Sequence, residues 1–337
     1  MSCKLKLGAY IMNKMTKRYL VTGGTGFIGA AITRRLLERG EKVRVLDNES
    51  RGHIRRLKDL KKDFEFIKGD IRNKHTVEKA CQGIDVVIHL AFINGTEFFY
   101  SKPDLVLDVG VKGIINIIDS CIKNKVGNLV LASSSEVYQT PPIVPTPETV
   151  PMIIPDPLNP RYSYAGGKMI SELLAINFGR KYFERVTIFR PHNVYGPDMG
   201  FEHVIPQFTL RMKALIDKHP NQKIIDFPIQ GTGKETRAFV YIDDFTDGLE
   251  LVMDKGKHLE IYHIGTTEEI SIRNLAKKIG QVLDKKIKVI PGELQKGGTP
   301  RRSPDISKLN KLGYSPKVSL DKGLIPTVDW YLKNSKV

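Results

Sequence analysis

Tyr164 and Lys168 stand four residues apart, so on a helix a phenol and an ammonium share one face. A tyrosine with an ordinary pKa of about 10 is a poor base, but a neighbouring cation favours its phenolate. Such a group can take an alcohol's proton as hydride leaves the same carbon, with the hydroxyl of Ser134 holding the oxygen. The hydride needs an acceptor, and Gly23-Gly24-Thr25-Gly26-Phe27-Ile28-Gly29 has the pattern of a turn that binds a dinucleotide's pyrophosphate. Tyr-x-x-x-Lys alone is frequent by chance, as a surface helix pair. Its weight comes from sharing a chain with the glycine turn and the serine run.

For that turn to work, a strand must lead in and a helix must lead out. Residues 18–22 are β-prone and residues 30–39 have helical periodicity. Gly23 then permits the tight turn, Gly26 lets the backbone approach a pyrophosphate, and Gly29 lets the helix pack closely. The helix start, with Phe27 and Ile28, offers N–H groups to the anion. The alternative is a glycine-rich loop with no ligand. Asp47 ends the next apolar run, about 20 residues on, where a carboxylate accepts hydrogen bonds from an adenosine ribose and disfavours a 2′-phosphate. Asp47 and Asn48 therefore point to NAD, although Arg44 and Arg51 nearby keep NADP open. A turn or cap role is the other reading of Asp47.

The alternation continues with a helix-like stretch 54–62, a strand 64–67 closed by Gly69-Asp70, a helix 77–81 and a strand 85–90. This βαβ repetition predicts an α/β protein with a Rossmann-type doubly wound parallel sheet. Asp70 and Ile71 should then lie near the adenine, and Leu90 and Ala91 should end a strand facing the cofactor. Residues 105–123 read as one long amphipathic helix. Residues 129–132 read as a buried strand delivering Ser133-Ser134-Ser135-Glu136-Val137-Tyr138 at its carboxyl end, the edge where ligands bind. The proline-rich stretch 140–160 should be a loop over the site, followed by a helix 162–182 and a strand 186–189. Beyond Arg190, prolines break short elements, with a strand 239–242 and helices near 272–283 and 320–332.

The expected division is a flexible extension 1–17, with Met12 and Met15 as alternative starts, then an NAD-binding domain 18–190 with a returning segment near 238–265. A smaller C-terminal α/β substrate lobe takes 191–237 and 266–337. At 337 residues and 41% hydrophobic content the chain can bury a large core. The formal charge of +16 would suit a polyanion, but the basic residues are scattered, without zinc spacing or an aromatic-basic RNA signature. No nucleic-acid partner is therefore expected. Cys3, Cys81 and Cys121 lack a disulfide or metal spacing and fit a cytoplasmic protein. Residues 1–17 have no apolar core for a secretory signal or a membrane anchor.

A longer ordered set resembles a known family: Gly23 to Gly29, Asp47, Gly69-Asp70, His89-Leu90-Ala91, Ser133 to Tyr138, Tyr164 with Lys168, Arg190-Pro191-His192-Asn193-Val194-Tyr195-Gly196-Pro197, and Thr236 to Asp244. From Tyr19 onward the chain is similar to the extended short-chain dehydrogenase/reductases, the NAD-dependent nucleotide-sugar epimerases, dehydratases and decarboxylases. The resemblance implies NAD as cofactor, a nucleotide-diphosphate sugar oxidised at C4, and a homodimer formed through helices 105–123 and 162–182. It makes Ser134, Tyr164 and Lys168 the catalytic trio, with Lys168 also on the nicotinamide ribose. Ser135 and Asn193 become substrate contacts, and Arg237 with one of Arg301 or Arg302 becomes a clamp for the diphosphate. Surface ion pairing is the other reading of Arg301 and Arg302.

Glu136 is where the resemblance implies chemistry beyond simple 4-epimerisation. The family's dehydratases usually carry an Asp-Glu pair, whereas Ser135-Glu136 with the later Thr-Arg-Ala-Phe looks more like the glucuronate decarboxylases. Gly110 stands where the family often has Asn, and Gln139 where it often has Gly. Two other classes stay open from sequence: a non-catalytic nucleotide-binding module, against which the intact trio speaks, and a polyanion-binding protein.

Overall fold

The computed structural model describes residues 16–293 and 298–334, so the expected extension lies, except for its last two residues, outside the described part. Seven parallel strands make the main sheet: β1 (Arg18–Thr22), β2 (Lys42–Asp47), β3 (Glu65–Lys68), β4 (Val86–His89), β5 (Asn128–Ala132), β6 (Arg185–Pro191) and a late-returning Glu260–Ile264. Their spatial order is Glu260–Ile264, β6, β5, β4, β1, β2, β3. Because helices cover both faces, runs such as Val86-Val87-Ile88 are buried without alternation.

One face carries α1 (Phe27–Glu38) and the helix Ile242–Lys255, packed over Val21, Val45, Val130 and Phe189. The opposite face carries α2 (Lys74–Cys81), α3 (Thr96–Ser101), α4 (Pro103–Leu107), α5 (Gly113–Lys123) and α6 (Ser163–Tyr182) over Leu20, Val87, Leu129 and Ile188. The strand order reverses between β1 and β4, and the crevice beyond their carboxyl ends is where such sheets bind ligands. A separate core around Phe208, Phe227, Leu275, Leu324 and Tyr331 holds the later elements together. The short strands Thr236–Ala238 and Arg301–Arg302 pair there in parallel, with Glu269–Ser271 antiparallel to the first.

Three sequence expectations need correction. Residues 105–123 are not one regular helix. A π-helical turn, Asp108–Lys112, separates α4 from α5, because Gly110 lets the Phe92 ring press in so closely that a Cβ there would stand 2.4 Å from it. Residues 239–242 are not one strand either: Val240–Tyr241 pairs with Val194–Tyr195, and Ile242 begins a helix running to Lys255. That helix was missed because its apolar face follows directly on the strand, although Asp243 and Asp244 mark a helix start. The helix-like stretch 54–62 winds as 3-10 turns over Ile54–Leu60, broken at Leu57. The 140–160 stretch is largely irregular, and only its last residue, Pro160, enters a 3-10 turn that leads into α6.

Candidate active site

The glycine turn is shaped by close approach. Gly23 sits at φ +71°, where a side chain would also stand 2.8 Å from the Ala91 nitrogen at the end of β4. A Cβ on Gly29 would stand 2.1 Å from the Gly23 carbonyl oxygen. Gly26 is the N-cap of α1 and supplies no capping side chain, so the first N–H groups of the helix, on Phe27, Ile28 and Gly29, lack intrahelical acceptors. Open donors at a dipole's positive end, in a cradle that any Cβ would narrow, fit a pyrophosphate.

Asp47 is buried and ties this turn to the next. Its carboxylate accepts the N–H of Thr25 at 3.0 Å and of Glu49 at 2.8 Å. Asn48 donates to Asp70 at 3.1 Å, and Asp70 is in turn gripped by Arg72 at 2.7 Å. Ile71 is buried against Gly113 of α5. The two arginines that kept NADP open are both engaged. Arg44 bonds Glu65 and the carbonyls of Ala80 and Gln82, while Arg51 lies 4.7 Å over the Phe98 ring and pairs with Glu202. At the end of β4, His89 bonds Thr22 at 2.8 Å, and just past it the Ala91 N–H reaches the same threonine hydroxyl. Leu90 and Ala91 thus close against the glycine turn at Gly23.

Across the crevice, Ser134 caps a short turn, Ser135–Tyr138, and is hydrogen-bonded to the Tyr164 hydroxyl from the first turn of α6. Phe99 stacks on the Tyr164 ring at 4.7 Å and Phe92 meets its edge at 5.2 Å. Lys168 is buried, donates to the Ala132 carbonyl at 2.8 Å, and lies 4.1 Å over the Phe92 ring and 5.8 Å over the Tyr164 ring. Ser134, Tyr164 and Lys168 therefore converge. Within the protein alone, burial lifts Tyr164 above its ordinary value against the Ser134 hydrogen bond, and the Glu136 charge adds to the rise. Burial also draws Lys168 down to about 7, with Glu172 opposing, so its charge is only partial near neutral pH.

Glu136 and Arg302, 166 positions apart, meet at 2.5 Å, and Arg161 lies 3.8 Å from the same carboxylate. Burial pushes the Glu136 carboxyl up, but Arg302, Arg161 and Arg237 outweigh it and hold it below the usual range. Arg237 is itself drawn down to about 10, by burial and then by the Arg302 charge. Three guanidiniums thus face one carboxylate, an excess of positive charge that suits an anionic ligand. Arg301 and Arg302 part company because successive residues of a strand face opposite ways. Arg302 faces the site, while Arg301 is exposed and chelates Glu269 at 2.9 Å, away from Glu136. Ser135 is buried in the turn. Asn193 bonds the Ala238 carbonyl at 3.1 Å, at a φ of +41°.

Sequence reasoning missed the fully buried Glu172. It receives Arg190 through two hydrogen bonds, 2.6 and 2.8 Å, and also Ser133; Arg190 continues to Tyr138, whose hydroxyl meets His263 at 2.6 Å. The available signal was a glutamate four residues after Lys168 on the helix already singled out. This network fixes the end of β5 against β6 and α6 beneath the trio.

A seven-stranded parallel sheet, with an anion-ready turn at its switch point and a Ser-Tyr-Lys cluster beyond its strand ends, is the frame of a Rossmann-like nucleotide-binding protein. The sequence profile of the NAD dependent epimerase/dehydratase family matches residues 19–265, and the chain belongs to that family. Its cofactor is NAD, and the catalytic reading is supported over the non-catalytic module. The chain is 31% identical to a UDP-N-acetyl-alpha-D-glucosaminuronate decarboxylase of Bacillus cytotoxicus, over 94% of this chain and 98% of that one. It is also 31% identical to a dTDP-D-glucose 4,6-dehydratase of Bos taurus, over 96% and 90%. A solved UDP-glucose 4-epimerase of Thermotoga maritima, with UDP-glucose, superposes with a TM-score of 0.83 at 28% identity, covering 95% of this chain and 100% of that one. Among the described residues no helix is long and apolar enough to cross a membrane.

Proposed function

We propose that this enzyme decarboxylates a nucleotide-linked hexuronate after oxidising it at C4. NAD, when bound, supplies the hydride acceptor and a positive nicotinamide that draws the Tyr164 phenol down. Tyr164 then takes the C4 hydroxyl proton while Ser134 holds that oxygen, leaving a ketone β to the C5 carboxylate. The C5–C6 bond breaks, carbon dioxide leaves, and the electron pair passes to the C4 oxygen as an enolate, facing the hydroxyls of Tyr164 and Ser134. C5 takes a proton from solvent, and Tyr164 returns its proton to the C4 oxygen as C4 is reduced again.

The observation that carries this reading is the state of Glu136. Dehydration needs an acid to protonate a departing hydroxyl, and a carboxyl held ionised by Arg302, Arg161 and Arg237 is a poor acid. Simple 4-epimerisation leaves such a cluster only the diphosphate to hold. Decarboxylation needs cations that seat a carboxylate, and guanidiniums do this through their planar forks. Arg302 therefore takes the sugar-carboxylate side of the site, with Arg237, Asn193 and Ser135 left for the diphosphate-sugar. Asp47, Asn48, Asp70, Ile71, Leu90 and Ala91 line the cofactor crevice, in a domain of 18–190 plus 238–265, with 191–237 and 266–337 as the substrate lobe. The same proposal includes a homodimer through α4, α5 and α6, which expose Leu107, Ile115, Ile170 and Leu173. Residence in the cytoplasm goes with the free, buried Cys81 and Cys121.

Incubation with UDP-glucuronate, UDP-N-acetylglucosaminuronate, UDP-glucose and dTDP-glucose, read by NMR and carbon dioxide release, tests the proposal. Pentose formation from a hexuronate is expected. A 4-keto-6-deoxy sugar or a C4 epimer as the main product would contradict it.

A further inference from the structure

Gln139 follows the turn that carries Glu136 and adopts φ +52° with ψ −105°, a backbone conformation that a side chain rarely accepts. It stands in a ring of four hydrogen bonds, two of them its own. Its side-chain amide donates to the Glu136 carbonyl at 2.6 Å, and its own carbonyl accepts the Thr299 hydroxyl at 3.0 Å. That hydroxyl in turn accepts Arg302 at 2.9 Å, and Arg302 closes the ring on the Glu136 carboxylate at 2.5 Å. The Thr299 carbonyl also receives Arg237, at 2.7 Å. Gln139 and Thr299 are both buried, and between them they join the turn after β5 to the strands that bear two of the site's arginines.

We propose that Gln139 and Thr299 are positioning residues, a clasp that fixes Glu136 against Arg302 for the chemistry following C4 oxidation. This rests on the decarboxylase reading for its kinetic consequence, though not for the contact itself. Strained backbone persists where its surroundings over-determine it, and here the strain adds a side-chain amide to a Glu136 carbonyl that glycine would hold by the backbone N–H alone, at 3.2 Å. Neither residue reaches Tyr164 or Lys168, so the clasp serves the second half of the reaction and leaves hydride removal to the trio.

Two variants separate positioning from plain stability. Thr299→Val keeps the shape and deletes the hydroxyl; Gln139→Gly relieves the backbone and deletes the amide. With UDP-glucuronate, both should form bound NADH at a near wild-type rate but release carbon dioxide about tenfold more slowly, the scale of one lost buried hydrogen bond. NADH should therefore accumulate, and Gln139→Gly should unfold at no lower temperature than wild type. Equal slowing of both steps, or no slowing of either, overturns the clasp.

A substrate-free arm is thermal unfolding of Thr299→Val, Glu136→Gln and the double variant, whose Tm shifts should be non-additive. If wild type leaves hexuronates untouched while the shifts remain coupled, the decarboxylase reading fails and the clasp stands. Additive shifts overturn the clasp whatever the substrate.

Discussion

The two sides of the crevice are built on different principles. The cofactor side is made of backbone and shape: glycines that admit close approach, uncapped N–H groups, and Asp47 stitching two loops together. The substrate side is made of charge, with Glu136 among Arg302, Arg161 and Arg237, gathered from three distant parts of the chain. A shape-built site accepts any ligand with the right backbone geometry, and so serves a whole family. A charge-built site chooses among substrates, since three guanidiniums against one carboxylate favour a sugar that brings a further anion over one that does not.

The largest effect should fall on neither side but on the group between them. Tyr164→Phe should lower turnover about 10³–10⁴-fold with every substrate, in steady-state assays at unchanged NAD content. Arg302→Lys should lower decarboxylation about 10²–10³-fold while NADH formation persists, as charge survives but the fork geometry does not. Gly29→Ala should break the other side: a Cβ 2.1 Å from the Gly23 oxygen costs about 1–3 kcal/mol in denaturant unfolding and weakens NAD binding for all substrates alike.

Lys168→Met sharpens the comparison through pH. Lys168 is drawn to about 7, below its unfolded value, so between those two values the native protein holds fewer protons than the unfolded chain. Its burial penalty is full below pH about 7 and fades as pH rises towards about 10.4. The variant should therefore melt higher than wild type at low pH, with the gain shrinking as the buffer turns alkaline, although it is inactive throughout. The smallest effect belongs to Arg301→Ala. An exposed pair with Glu269 should change KM by less than about twofold, in contrast with its neighbour Arg302.

This contrast also explains what could be read from the sequence. The glycine turn, Asp47 and Tyr164 with Lys168 are local patterns, each written within a few residues or at a fixed distance along a βαβ unit. The meeting of Glu136 with Arg302 spans 166 positions, and that of Gln139 with Thr299 spans 160. No local periodicity encodes either. Strand alternation, visible only once Arg301–Arg302 is seen to be a strand, decides which arginine enters. The π turn at Asp108–Lys112 was hidden because its cause, the Phe92 ring against Gly110, lies on a different element.

The central claim is that a C4 hydride leaves before carbon dioxide does. UDP-glucuronate carrying deuterium at C4, mixed rapidly with the NAD-loaded enzyme, tests it by the NADH absorbance band and by carbon dioxide release. The account predicts that NADH appears first, that its formation is slowed by a primary isotope effect, and that carbon dioxide release inherits the delay. Decarboxylation with neither an NADH phase nor an isotope effect would contradict it.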